Sequence, residues 1–200
     1  LEIKKEVPNP RPIVPLTTGQ IKSLYEATRT YESKQPHLAL RDRAMLSIFY
    51  DCGLRRNEGI GLDLSDVHLD NRLLYVKYAK GGQARFVPFG QETSRHLTSY
   101  IYDARSVMAR APNTHALLLS SQGTRASGGA LNTRLKHLQG HTEDPILQQQ
   151  EIHLHLLRHS IATHLLFEGM ELEKVARFLG HKSLESTQVY THILSDAETI

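Results

Sequence analysis

Apolar positions recur at helical spacing over most of this 200-residue chain and alternate in one short stretch. Ile21, Leu24 and Tyr25 mark one side of a helix predicted from about Gly19 to Arg29, with Thr17 or Thr18 as its cap. Ala44, Met45, Ile48 and Phe49 form the stripe of a second helix, from about Leu40 to Asp51, and Gly53 stands where it should end. A short helix from Arg56 to about Leu62 follows. The period then changes to two. Leu73, Tyr75 and Lys77 alternate with Leu74, Val76 and Tyr78, Lys80-Gly81-Gly82-Gln83 reads as a turn, and Ala84 to Pro88 returns as a second strand. Asp70-Asn71 marks another turn, which makes a third short strand near Val67. Helical texture resumes from Glu92 to about Arg110 and from Gly129 to Leu138, with loops at Ser120 to Gly128 and Gly140 to Pro145. Near the end, His155 to Phe167 is a helix, Leu172, Val175 and Leu179 mark another ending at Gly180, and Ser183 caps a third from Leu184 to about Ile193. The expected fold is α+β, mainly α: a helical domain with a small antiparallel three-stranded β-sheet.

Composition narrows the class. With 40% apolar and 22% charged residues the chain can bury a core, and no stretch approaches the roughly 18 apolar residues of a membrane helix. The single cysteine, Cys52, excludes an internal disulfide and fits a reducing compartment, so a cytoplasmic protein with no membrane partner is expected. A net charge of +3 and twelve histidines permit nucleic-acid binding without indicating it. The chain begins without Met, and Pro8, Pro10, Pro12 and Pro15 stand beside Lys4, Lys5 and Arg11. Residues 1–15 therefore read as a basic, proline-rich linker that once joined an upstream domain, with its basic residues near DNA, and residues 16–200 as one domain. An ordered arm with no DNA role is the alternative.

The chemistry is concentrated in the last fifty residues. His155 and Arg158 stand three apart on one helix face, His181 follows a helix-ending glycine, and Tyr190 lies two turns into the next helix. One arginine, two histidines and one tyrosine could together perform phosphoryl transfer without a metal. His155 and His159 also have the spacing of a metal pair, but no H-E-x-x-H motif or cysteine cluster accompanies them, and no metal is expected. Taken singly, each of these residues is more ordinarily a packed or satisfied side chain.

Joint spacing changes that balance. The run His155-Leu-Leu-Arg158-His159, then Leu179-Gly180-His181, then Tyr190 nine residues beyond that histidine, resembles the tyrosine recombinase family of phage integrases and Xer-type resolvases. Upstream, Gly53-Leu54-Arg55-Arg56-Asn57-Glu58 resembles the family's G-L-R-x-x-E box, and Lys80-Gly81-Gly82 with Arg85-Phe86-Val87-Pro88 resembles its lysine hairpin. Leu154 stands where relatives often carry proline, and residues 138–151 are longer and more polar than in the leanest members.

The resemblance implies that residues 16–200 are the catalytic domain, and residues 1–15 the linker from a missing N-terminal DNA-binding domain, of a site-specific recombinase or integrase that needs no cofactor. Tyr190 would attack a DNA phosphate, Arg55 and Arg158 would hold its oxygens, and Lys80 would protonate the leaving 5′-oxygen. His155 and His181 would handle protons and donate to the phosphate, and Glu58 would support the arginine. Arg56 is an alternative to Arg55 that the box register disfavours. Arg85, Arg125, Arg134, Lys136, Arg177 and Lys182 are candidate DNA phosphate contacts. The partner would be double-stranded DNA, with the full-length protein a tetramer on two DNA sites in a bacterial cytoplasm, associated with the nucleoid when bound. The 200-residue piece alone, with a short tail after Tyr190, is expected to be a monomer. Alternatives are a type IB topoisomerase, a binding module with a decayed site, and a histidine-metal hydrolase.

Overall fold

Leu16 is where the chain enters its packed body: the side chain is fully buried and its N–H donates to Ser160 Oγ at 2.8 Å. The computed structural model describes residues 13–77, 84–110 and 114–181. Helix α1 (Thr18–Ala27) starts on a reciprocal cap, in which Thr17 Oγ1 accepts from the Gln20 N–H and the Gln20 side chain accepts from the Thr17 N–H. A single 3₁₀ turn, Thr28–Tyr31, extends it.

Helix α2 (Pro36–Leu46) begins before the expected Leu40, because Pro36 occupies its first turn with φ already set for a helix. Its last turn, Ser47–Asp51, is π-helical and is followed by Gly53 at φ 58° and by α3 (Arg56–Gly61). Strands β1 (Val67–His68), β2 (Leu73–Val76) and β3 (Arg85–Pro88) form the expected antiparallel sheet in the order β1-β2-β3. Leu74 pairs with Val87 and Val76 with Arg85; Leu74, Val76 and Val87 are buried while Phe86 faces solvent. Helix α4 (Gln91–Ser99) runs through a π-helical stretch, Tyr100–Arg105, into the single turn α5 (Ser106–Met108).

Helices α6 (Gly128–Gly140), α8 (Leu154–Phe167) and α9 (Leu172–Leu179) agree with the sequence expectation. Between α6 and α8, the polar stretch 138–151 contains an element that periodicity missed, α7 (Pro145–Gln149). Asp144 caps it and Pro145 opens it, while Gln139 Nε2 donates to the carbonyls of Leu147 and Gln150 and Leu147 is fully buried. The Asp-Pro pair was the available signal. The third C-terminal helix expected from Leu184, and the turn at residues 80–83, lie outside the described residues.

Buried charge holds the side of the core formed by α2 and α6. Asp42, fully buried on α2, accepts from Arg41 Nη2 at 2.8 Å, Arg134 Nε at 2.5 Å and the Tyr31 hydroxyl at 2.7 Å. The Arg134 guanidinium also lies 4.7 Å from the centre of the Tyr31 ring. Arg134 was expected to meet DNA phosphate; it instead joins α6 to α2, because a carboxylate with no access to water requires cations beside it.

Replacing Asp42 with Ala strands two arginines in the core and should cost about 3–5 kcal/mol in urea unfolding. Lys22→Ala, which breaks an exposed pair with Glu26 on α1, should cost no more than about 0.5 kcal/mol. Equal costs for the two substitutions would refute this account of the core.

Candidate active site

Two turns meet at the centre of the site. One is the Gly53–Arg55 turn that leaves the π-helical end of α2, and the other is the Leu179–Gly180 end of α9. Arg158, on α8 and only 1% exposed, joins them: Nη1 donates to Gly53 O at 2.5 Å and Nη2 to Leu179 O at 2.8 Å. Gly53 is required here. A Cβ on it would stand 2.9 Å from Leu179 Cδ2 and 3.1 Å from Phe178 Cε1, and its φ is positive.

Arg55 directly precedes α3. Its Nη1 donates to Glu58 Oε1 at 2.9 Å and its Nη2 to Gly180 O at 3.1 Å. Glu58 is buried and also accepts from the Arg55 backbone N–H at 2.9 Å. Arg85, at the start of β3, grips the same carboxylate with both terminal nitrogens, at 2.9 and 3.0 Å, and reaches Leu179 O at 3.2 Å. Three guanidinium groups therefore surround the last carbonyls of α9. Those carbonyls lack partners within the helix and carry its negative end, which suits them to cations. Gly180, at φ 68°, lets Arg85 lie against the backbone, because a Cβ there would come within 2.6 Å of Arg85 Cζ.

Electrostatics follow from this packing. Burial pushes the Glu58 carboxyl up, but hydrogen bonds and charge from Arg85 and Arg55 outweigh it, so the group lies below the usual range and is ionised. Burial, followed by Arg158, Arg55 and Arg85, holds His181 down to about 4. Burial, then His155 and Arg158, holds His159 down to about 4 as well. His155 reaches the surface, yet the surrounding protein, then Arg158, His153 and Arg55, lowers its imidazole too. The His155 and His159 rings meet edge to face at 4.4 Å. All three are neutral at pH 7 beside three guanidinium groups.

Of the residues singled out in the sequence, Arg55, Glu58, His155, Arg158 and His181 are thus brought to one place. Lys80, Lys182 and Tyr190 lie outside the described residues. Arg56 is exposed and packs beside Gly128 at the start of α6, so the G-L-R register puts Arg55 in the cluster and leaves Arg56 outside it. Arg125 braces α3, donating to the carbonyls of Ile60 and Leu62 and pairing with Asp63. Lys136 and Arg177 are exposed on α6 and α9. Arg85 was expected as a DNA contact, but its guanidinium is committed to Glu58 and Leu179. Strand alternation carried that signal: Arg85 lies two residues from inward-facing Val87 and opposite buried Val76, so it belongs to the core-facing side. No group of three or more His, Cys, Asp or Glu able to hold a metal ion occurs among the described residues.

Comparison with known proteins agrees with the geometry. The model of the phage integrase family matches residues 15–196. Tyrosine recombinase XerC of Mycobacterium tuberculosis (strain ATCC 25177 / H37Ra) is 37% identical over 191 residues, covering 94% of this chain and 62% of that protein. XerC of Mycobacterium sp. (strain KMS) is 35% identical over 190 residues, with the same coverage of 94% and 62%. This chain thus spans 62% of the length of these curated relatives. The crystal structure of XerA recombinase superposes with a TM-score of 0.77 at 29% identity, over 92% of this chain and 62% of that one. XerH site-specific recombinase, bound to palindromic difH substrate in a post-cleavage complex, shares the fold with a TM-score of 0.76 at 23% identity, over 95% of this chain and 54% of that one. From the arginine–histidine cluster, the four motif boxes in order and a family match over nearly its whole length, the chain belongs to the phage integrase family of tyrosine recombinases.

Proposed function

We propose that this chain is the catalytic domain of a site-specific DNA recombinase, which cuts and rejoins duplex DNA through a 3′-phosphotyrosyl link. The observation that carries this reading is the convergence of Arg55 and Arg158 on one junction, with His155 and His181 beside them. Guanidinium groups held by carbonyls and a carboxylate before any substrate arrives are preorganised for a phosphate, whose negative charge grows as phosphorus becomes pentacoordinate. The relatives compared above are named recombinases, which favours strand exchange over a type IB topoisomerase.

In the proposed reaction the Tyr190 hydroxyl attacks the phosphorus, forming a Tyr Oη–P bond, and its phenolic proton passes to the neutral imidazole of His155. The bond from phosphorus to the 5′-oxygen breaks, and Lys80 gives that oxygen its proton. A 5′-hydroxyl and a 3′-phosphotyrosine result, and attack by another strand's 5′-hydroxyl reverses the step and frees the tyrosine. Because the phosphotyrosine keeps the phosphodiester's energy, no nucleotide cofactor is consumed. Arg55 and Arg158 hold the non-bridging oxygens, His155 and His181 donate to them, and Glu58 orients Arg55. Residues 1–15 serve as the basic linker to an upstream DNA-binding domain. The whole protein works as a tetramer on two duplex sites in the bacterial cytoplasm.

The direct test mixes the protein with sheared DNA of its own host, traps covalent adducts with denaturant and sequences the attached strands. Adducts should form with the wild type and vanish with Tyr190→Phe, while DNA binding survives. Adducts persisting at wild-type level in that variant would place the nucleophile elsewhere.

Removing either arginine removes a preorganised cation. Arg55→Ala and Arg158→Ala should each slow cleavage on the order of 100-fold or more, and Arg56→Ala much less. A severe Arg56→Ala beside a mild Arg55→Ala would reverse the assignment.

Binding should also depend on pH in a defined direction. A phosphate among the arginines offsets the part of the His181 depression that Arg158, Arg55 and Arg85 cause, while the larger part, from burial, remains, so its pKa rises partway from about 4 toward the ordinary histidine value and association takes up protons. Affinity then strengthens as pH falls toward that raised value, by less than the roughly tenfold that full recovery would give between pH 7.5 and pH 5.5. Dissociation constants measured at fixed salt should follow that trend, and His181→Asn should flatten it; a flat wild-type profile contradicts the lift.

A further inference from the structure

Both roots of the segment that carries Lys80 are tied by charge to the stretch of chain that Arg55 opens. The β2–β3 ladder ends at the Val76–Arg85 pair, so residues 77–84 connect the strands, and Lys80 belongs to that connection. At the first root, Lys77 Nζ pairs with Asp66 at 2.8 Å and with Asp63 at 3.3 Å. At the second, Arg85 holds Glu58 with two bonds. Glu58 lies on α3, and Asp63 and Asp66 lie in and beside the 3₁₀ turn Leu64–Asp66 that follows it.

The two roots are not equal. The Arg85 and Glu58 side chains are 15% and 2% exposed, whereas Lys77 is 34% exposed and its two carboxylates, Asp66 and Asp63, are 3% and 25% exposed. A two-pronged guanidinium–carboxylate pair is directional, while a lysine ammonium on a more exposed, flexible stem is a point charge and more loosely aimed. Arg85 also shares one oxygen with Arg55: Glu58 Oε1 accepts from both guanidinium groups at 2.9 Å. The hairpin root is therefore registered to Arg55 through a single atom.

From this geometry we infer that Arg85 is a positioning residue that acts through Lys80, fixing the root of the lysine-bearing hairpin to the carboxylate that orients Arg55. The inference rests on the recombinase reading above and assigns Arg85 a task other than touching DNA. A proton donor works only within about 2.6–3.2 Å of the oxygen it serves, and a displacement of about 1 Å can cost about 100-fold. Arg55, bound to the same carboxylate, holds the phosphate. Arg85 thus ties the strand end that leads back to Lys80 to the carboxylate that holds Arg55. Gly180 makes this possible by leaving the face of the Arg85 guanidinium uncovered by any side chain of its own.

The test uses a nicked suicide duplex of the sequence on which the wild-type protein forms its adduct, made with either oxygen or sulfur at the bridging 5′-position. A thiolate leaves without protonation, so sulfur removes the need for Lys80. Arg85→Met should cleave oxygen DNA about 100-fold more slowly than wild type and recover most of that loss on sulfur DNA, as Lys80→Ala does. The double variant Lys80→Ala/Arg85→Met should be no slower than Lys80→Ala alone, and Lys77→Met should show a smaller loss of the same kind. Should Arg85→Met fail to fold, Arg85→Lys, which keeps one charge on Glu58, is read on the same pair of substrates with the same expectation. Recovery of Lys80→Ala on sulfur with no recovery of either Arg85 variant overturns the inference and leaves the recombinase reading standing. Failure of Lys80→Ala itself to recover removes the general-acid role, and the Arg85 inference falls with it.

Discussion

The buried carboxylate of Glu58, shared by Arg55 and Arg85 at the end of α9, is the interaction on which the site depends. Three separate pieces of chain meet there: the turn after α2, the β3 strand and the last turn of α9. Guanidinium groups carry more donors than one partner can use. Arg55 binds Glu58 and Gly180, Arg85 binds Glu58 and Leu179, and Arg158 binds Gly53 and Leu179, so the arginines themselves connect the elements. A single negative charge among three positive ones leaves the junction cationic. Burial, with that residual field added, keeps His155, His159 and His181 neutral.

Much of the rest of the fold maintains this junction. Asp51, in the π-helical turn, accepts from Thr93 Oγ1 at 2.7 Å and from the Tyr25 hydroxyl at 2.9 Å, which ties the start of the Gly53 turn to α4 and α1. Burial raises the Asp51 carboxyl above its ordinary range. The Asp42 cluster performs the corresponding task between α2 and α6 with two guanidinium groups beside one hydroxyl. Arg125 secures the far end of α3 through two backbone carbonyls and Asp63. Cations that would be ordinary surface groups in a list of basic residues are thus divided by the fold into internal braces and a smaller set near the site.

That division bears on the proposed contact with DNA. Arg134, Arg125 and Arg85 are occupied within the protein, so a count of basic residues overstates the charge offered to a phosphate backbone. Lys136 and Arg177 are exposed, and for a phosphodiester chain their attraction is long-ranged, weak per contact and screened by salt. Chemistry at one phosphate requires the opposite: few cations, fixed in place and partly shielded from water, where their attraction is larger.

Local pattern was enough to read the order and type of nearly every described element, the three-stranded sheet, and Arg55 rather than Arg56 as the member of the arginine cluster. These are local or motif-borne properties. Period, caps and turn residues depend on neighbours a few positions apart, and the His155–Arg158 and Leu179–Gly180–His181 spacings are carried on single helices or their ends. Where each cation goes was legible only once the chain was folded, because Arg85 and Glu58 lie 27 residues apart and Arg134 and Asp42 lie 92 apart. An arginine's composition and local pattern are alike whether it faces solvent or a buried carboxylate. The choice depends on which chain segment packs against it, and so on the global fold. The α7 helix and the π-helical ends of α2 and α4 were missed for a related reason. Short turns have too few residues to establish a period, and long-range packing selects their conformation.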